Sequence, residues 1–315
     1  MTIQASRLHQ LENQNLSVND RAELCCEIAK EFENKGEYED ARKILGGYWF
    51  HIGERPEVAE LEPRVAVEVI LRAGVLTGII GSKNQLAEAQ EKAKDLIFES
   101  LSVFQSLGQQ EKIAEAQTEL ALCYWRTGEN NEARDLLEEA LSRLTVDSEL
   151  RAKAVLRLAM VEQVASESEK ALSILTDHAS LFQKVDNHTL KGSYHSTLGN
   201  VLKKLWQTET RTEYLDRALV EYTAASYHLE LAEHRNYFAS VQNNIGLLYF
   251  MINRCEEAHQ HLDHARRLLE SAPHLYPQFA THNAQTIASV SVAAGSGRAY
   301  EFQRLQGMGE AIYEE

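Results

Sequence analysis

Several sets of side chains in this sequence have types and spacings that could do chemistry. Lys153 and Arg157 stand four residues apart, which puts two cations on one helix face where a carboxylate could be held. Asn200, Asn243 and Asn244 carry amides that donate and accept, so with Lys203 nearby they can satisfy a peptide unit whose partners were water. Trp125 and Phe250 are large aromatics of the kind that anchors a bound partner, and they lie 125 residues apart. Cys255 and His259 share a helix face at a spacing that can suit zinc, with His261 and His264 following. His261 falls on a different part of that helix and no fourth ligand is specified, so no metal is expected. The adjacent Cys25 and Cys26 read as buried thiols that fit a helix seam. No GxSxG, HExxH or P-loop gives any Ser, His or Asp a catalytic setting. The chain is therefore expected to be no enzyme and to hold no cofactor.

Binding residues need elements to position them, and the composition points to helices. Ala, Glu, Leu, Gln, Lys and Arg dominate, the four prolines are few for 315 residues, and no Val/Ile/Thr alternation marks a half-buried strand. An all-α fold follows. The length exceeds what one compact core usually organises, leaving two domains or one extended repeat array. A formal net charge of −15, from 47 acidic against 32 basic residues, repels phosphate backbones and anionic membranes. The expected partner is thus a protein or peptide, with no nucleic acid and no membrane. Four cysteines without CxxC spacing suggest the cytoplasm, as does an N-terminus lacking the apolar core of a signal peptide. The most apolar stretch, 65–81, carries Glu68 and Arg72 and is expected to be too short and too charged to span a bilayer.

Internal self-similarity sets the architecture. From Leu120 the chain reads Leu120-Ala121, Tyr124, Gly128, Ala133, Leu137, Ala140. The small residues let two helices approach, the large ones fill the seam between them, and Gly128 supplies a left-handed turn. The frame recurs at Ala29 with Ala41, Gly74 with Ala93, Ala159 with Ala171, Gly199 with Ala218, and Gly246 with Ala258. Twelve residues separate the small pair in four repeats and nineteen in the second and fifth, which predicts longer joints there. Gly74 and Gly199, Ala93 and Ala218, Ala121 and Gly246, Ala133 and Ala258, and Ala140 and Ala265 are each 125 apart, so a three-repeat unit is duplicated. Gly74, Gly78 and Gly81 are expected to permit close helix contact rather than to cradle a phosphate.

On these landmarks the sequence resembles the tetratricopeptide repeat family. The resemblance implies a right-handed superhelical solenoid of helical hairpins: a polar segment or cap at 1–20, six repeats over 21–272, and a degenerate seventh repeat or cap at 273–315. In that last part a helix is expected over 278–294, broken by Gly295-Ser296-Gly297. The repeat period, near 40 residues, is similar to that of arrays in bacterial peptide-sensing regulators and in the sensor arms of signal-transduction ATPases. The first helix of each hairpin would then line an inner groove. Glu115, Thr118, Leu122 and Trp125 share a stripe there, as do Ser193, Ser196, Asn200 and Lys203, and Ser240, Asn243, Leu247 and Phe250. The family's clamp for a C-terminal carboxylate is matched only in fragments: Lys153 and Arg157 fit its cationic pair, but Glu119 stands where an Asn is needed. The reading is a peptide-binding scaffold or adaptor; the alternative is a ligand-sensing module that controls a separate output protein.

Overall fold

The computed structural model describes residues 10–11 and 15–270. The helix expected over 278–294, the remainder of 273–315 and most of the N-terminal segment lie outside the described residues. The chain divides into two compact units, 1–161 and 162–315, and the described residues hold helices and no strand. In the first unit α1 (Val18–Asn34) packs on α2 (Tyr38–Ile44), α3 (Pro63–Lys83) on α4 (Ala89–Ser106), and α5 (Gln110–Arg126) on α6 (Asn130–Arg143). The chain then runs through α7 (Glu149–Val164), α8 (Ser168–Asp177) and α9 (Ala179–Lys184). In the second unit α10 (His188–Glu209) packs on α11 (Thr212–Leu231), and α12 (Arg235–Met251) on α13 (Cys255–Glu270).

The hairpins close where the small residues sit. Every second-helix residue that sets the repeat frame, from Ala41 and Leu45 to Ala258, Leu262 and Ala265, is fully buried. A methyl group placed on Gly74 would come within 2.8 Å of the Ile97 side chain, and one on Gly199 within 2.8 Å of the Tyr222 ring. Gly199 and Tyr222 are the residues 125 positions after Gly74 and Ile97, so both halves close one seam in the same way.

A longer joint, expected in the second and fifth repeats, is found in the second, where five residues separate Lys83 from Ala89, and not in the fifth. The left-handed residue of the turn comes seven positions after the small seam residue in the short hairpins, at Gly36, Gly128, Ser166 and Asn253. In the long ones it comes eleven after, at Gln85 and Thr210. The second seam residue then follows five positions later in the short hairpins and eight later in the long ones. Four residues are added to the first arm and three to the second, about one turn each at 3.6 residues per turn. In the fifth repeat the extra length is helix, and the turn between Glu209 and Thr212 is the shortest of the hairpin turns described. In the second the turn between Lys83 and Ala89 is the longest of them, so part of the extra length there is loop.

The apolar stretch at 65–81 forms the middle of α3, which starts on Pro63 as its first residue. By length and composition α3 could cross a membrane, with a mean hydropathy of 1.7 over its best 18-residue window; 78% of that window is buried inside the protein. Val65, Val69, Ile70 and Ala73 pack with Ala22, Ala29, Leu45 and Trp49 of the first repeat, while Leu71 and Val75 pack with Ile97, Phe104 and Leu120. Arg72, in the middle of α3, is also buried and needs a partner.

Candidate functional site

The first helices are the enclosed layer of each unit, and they carry the polar residues. On α5 every residue from Ile113 to Ala121 is buried, Glu115, Gln117, Thr118 and Glu119 among them. The second helix α6 buries only Ala133, Leu137 and Ala140. Charged groups are almost never fully buried without partners, so the partners define the site.

Arg72 of α3 donates from Nη1 to Glu33 Oε2 at 2.8 Å and from Nη2 to Glu115 Oε1 at 2.9 Å. Lys30 reaches the same Glu115 oxygen at 2.8 Å, and Lys112 joins Glu115 Oε2 at 3.1 Å and Glu68 at 2.6 Å. One turn further along α5, Glu119 accepts from Lys153 Nζ and Arg157 Nη2, each at 2.8 Å, and Arg157 also donates to the Thr118 carbonyl at 2.6 Å. The wall thus runs across α1, α3, α5 and α7 inside the first unit.

Electrostatics follow from this packing. Burial works against the charge of Arg72, but the Glu33 and Glu115 carboxylates overcome it and hold the guanidinium more firmly protonated than usual. Burial likewise opposes ionisation of Glu115 and Glu119, yet Arg72, Lys30 and Lys112 around the first, and Arg157 and Lys153 around the second, bring both well below the ordinary carboxylate range. Glu33 goes the other way: burial outweighs Arg72 and raises its pKa, and its Oε1 is buried with no hydrogen bond.

The cationic pair of Lys153 and Arg157 is therefore held by Glu119. The residue standing in place of the clamp's Asn neutralises both cations from within the protein. Trp125 is half-buried, and its Nε1 is enclosed without an acceptor. In the second unit the amides lie inside the hairpins. Asn200, 1% exposed, accepts through Oδ1 from the Tyr222 hydroxyl. Lys203, Asn243 and Asn244 are buried, and Phe250 packs beside Tyr249 on Ala258 and Leu262. The stripe read from the sequence thus exists as a helix face, but Asn200 spends its amide oxygen on the seam.

The histidines of α13 are engaged separately. His261 Nδ1 bonds Gln242 Oε1 at 2.7 Å and its ring stacks on Tyr249, while His264 meets the edge of Phe238. Among the described residues no group of three His, Cys, Asp or Glu side chains is arranged to hold a metal. Cys25 and Cys26 are buried and unpaired, and burial pushes both thiols up, away from the reactive thiolate.

Sequence reasoning missed the centre of the site: Glu33, Arg72 and the role of Glu115. The available signal was Arg72 in the middle of an apolar helix, a place where an unpaired guanidinium would be prohibitively costly.

The tetratricopeptide repeat family model matches residues 113–145, which are the third hairpin with its glycine turn. These hairpins are tetratricopeptide repeats. Solved structures extend that likeness over the whole chain. A Rap protein complexed with Competence and Sporulation Factor superposes over 99% of this chain and 88% of its own, with a TM-score of 0.62 and 12% identity. The signal transduction ATPase with a tetratricopeptide repeat sensor from Pyrococcus horikoshii superposes over 98% of this chain and 46% of its own, with a TM-score of 0.61 and 13% identity. The fold is thus an all-α tetratricopeptide-repeat array. A proline dehydrogenase family model also matches, over residues 246–315. The Bifunctional protein PutA of Escherichia coli (strain K12) is 50% identical over 54 residues, which is 16% of this chain and 4% of that relative. The chain thus spans about 4% of the length of the curated relatives it matches.

Proposed function

We propose that this tetratricopeptide-repeat protein binds a peptide segment of a partner along the first helices of its hairpins, as a scaffold or adaptor. One observation carries the reading: the enclosed first-helix layer is polar, and some of its buried groups are left without partners. Gln117 Oε1, Trp125 Nε1 and Arg126 Nε on α5 make no hydrogen bond. Buried polar groups are normally satisfied, and leaving one bare costs about 1–3 kcal/mol. An extended peptide brings both donors and acceptors. The four free cysteines support a cytoplasmic setting.

Affinity purification of the tagged chain followed by mass spectrometry would supply candidate partners, to be titrated as synthetic segments. Trp125→Ala should weaken binding by about 2 kcal/mol if Trp125 is an anchor. Wild-type affinity in both Trp125→Ala and Gln117→Ala, with folding intact, would move the site off α5.

The second reading, a sensor controlling a separate output protein, is favoured by fold likeness to a Rap protein complexed with Competence and Sporulation Factor and to the tetratricopeptide repeat sensor of a signal transduction ATPase. Ligand-dependent stabilisation that also alters an output protein would select it over the passive scaffold. We assign no catalytic step to the chain. The proline dehydrogenase match begins at residue 246, within α12, and 271–315 lie outside the described residues. Proline-dependent reduction of an electron acceptor by the purified chain would overturn the non-catalytic reading.

A further inference from the structure

The charged wall in the first unit is paired group by group with one exception. Glu115, Glu119 and Arg126 lie four and seven residues apart on α5 and share one helix face. Glu115 holds Arg72, Lys30 and Lys112, and Glu119 holds Lys153 and Arg157. Among the described residues no carboxylate lies within ion-pairing distance of Arg126, and its enclosed Nε donates to nothing. Its electrostatic neighbours are Cys123, Arg157, Tyr38 and Glu119, so a second cation stands close by. Trp125, the adjacent residue, contributes another enclosed donor with no acceptor. Arg126, itself partly buried, thus offers one enclosed donor and a positive charge with no carboxylate beside it, which is costly in a desolvated layer.

From this arrangement we infer that Arg126 is the receptor for a carboxylate of the bound peptide. The inference rests on the peptide-binding reading and specifies the partner's chemistry. The planar fork of an arginine pairs with two carboxylate oxygens at once, and such bonds are about twice as strong as neutral ones. Lys153 and Arg157 are not the receptors, because Glu119 already occupies them. The carboxylate can come from a peptide C-terminus or from an Asp or Glu side chain, and the experiment separates the two.

Three randomised heptapeptide pools would be equilibrated with the intact chain and the retained fraction measured by mass spectrometry. The first has free C-termini and no Asp or Glu, the second is amidated and contains Asp and Glu, and the third is amidated without them. The wild type should retain the first or the second pool about tenfold better than the third. Arg126→Gln should abolish that preference, and Arg126→Lys should restore part of it. Whichever carboxylate pool is preferred identifies the source. Equal retention of all pools, or a preference that survives in Arg126→Gln, overturns the inference and leaves peptide binding standing. A wild type that retains no pool overturns both. Melting of the unliganded proteins gives a readout that needs no peptide. Removing an unpaired desolvated charge should leave Arg126→Gln melting at or above the wild type, and a clearly lower melting temperature would mean Arg126 already has a structural partner.

Discussion

Arg72 shows how much of this protein's stability can hang on one side chain. It is 2% exposed and bridges two carboxylates, so truncating it strands Glu33 in a desolvated layer and leaves Glu115 to Lys30 and Lys112 alone. Arg72→Ala should cost about 3–5 kcal/mol in chemical denaturation, and a loss below 1 kcal/mol would mean the wall is wet. At the seam the opposite error matters. Ala121 and Ala133 are fully buried, and Ala121→Leu should cost about 1–3 kcal/mol by driving α5 and α6 apart. Lys153 and Arg157 could be read from the sequence as a cationic pair, and Glu119 as the residue that breaks the clamp pattern. Their pairing could not, because Arg157 meets Glu119 38 residues away and Arg72 meets Glu115 43 away. Which carboxylate reaches which cation is decided by helix packing that no local pattern records.

Helical hairpins answer to a simpler rule, and most of them were legible. Small residues at two recurring spacings located the repeats, since the seams need little side chain and the approach seen at Gly74 and Gly199 leaves no room even for a methyl group. Seven added residues did not say whether they would be loop or helix; they are helix on both arms of the fifth repeat and partly loop in the second. The turns repeat across the duplication. Gln85 and Thr210, Gly108 and Glu233, and Gly128 and Asn253 all have positive φ, each pair 125 residues apart. Where one half uses glycine, the other forces a side chain into the left-handed region, at a cost of roughly 1–2 kcal/mol, partly offset by the freedom glycine has when unfolded. Glu233, at φ 56°, is exposed. Glu233→Gly should therefore stabilise the protein by about 0.5–1 kcal/mol in urea denaturation. A destabilised variant would show that Glu233 does more than occupy the turn.

Across the whole molecule the two units share hairpins but not titratable groups, and acid should tell them apart. In the second unit His188 Nδ1 contacts His228 Nδ1 at 3.0 Å, so at least one of the two must be neutral there, and His195 bonds Glu221 at 2.7 Å. Burial, then the charges of His195, His188 and Lys191, lower His228 to about 4. Burial also lowers His234, which caps α12, to about 4, and lowers His261. Unfolded histidines titrate near 6.5, so between pH 6.5 and 4 the unfolded chain binds protons that the folded unit refuses. Their contribution to stability is present above pH 6.5 and is lost as pH falls through that window. In the first unit the depressed carboxylates include the buried Glu115 and Glu119 and the half-buried Glu129, which Lys94 holds. Their contribution is present above the unfolded carboxylate value near 4.5 and is lost only below it, with Glu33, whose pKa is raised, working in the opposite direction. The second unit should therefore weaken first as the solution is acidified from pH 7 to 4.5. In a Trp206→Phe variant, fluorescence reports the first unit through Trp49 and Trp125, while circular dichroism follows both. The helical signal should begin to fall, at a fixed intermediate urea concentration, while the fluorescence still holds, and His228→Gln should move that early loss to lower pH. If the two signals fall together in one step, and His228→Gln leaves its midpoint in place, the histidines of α10 and α11 do not set the acid stability of this protein.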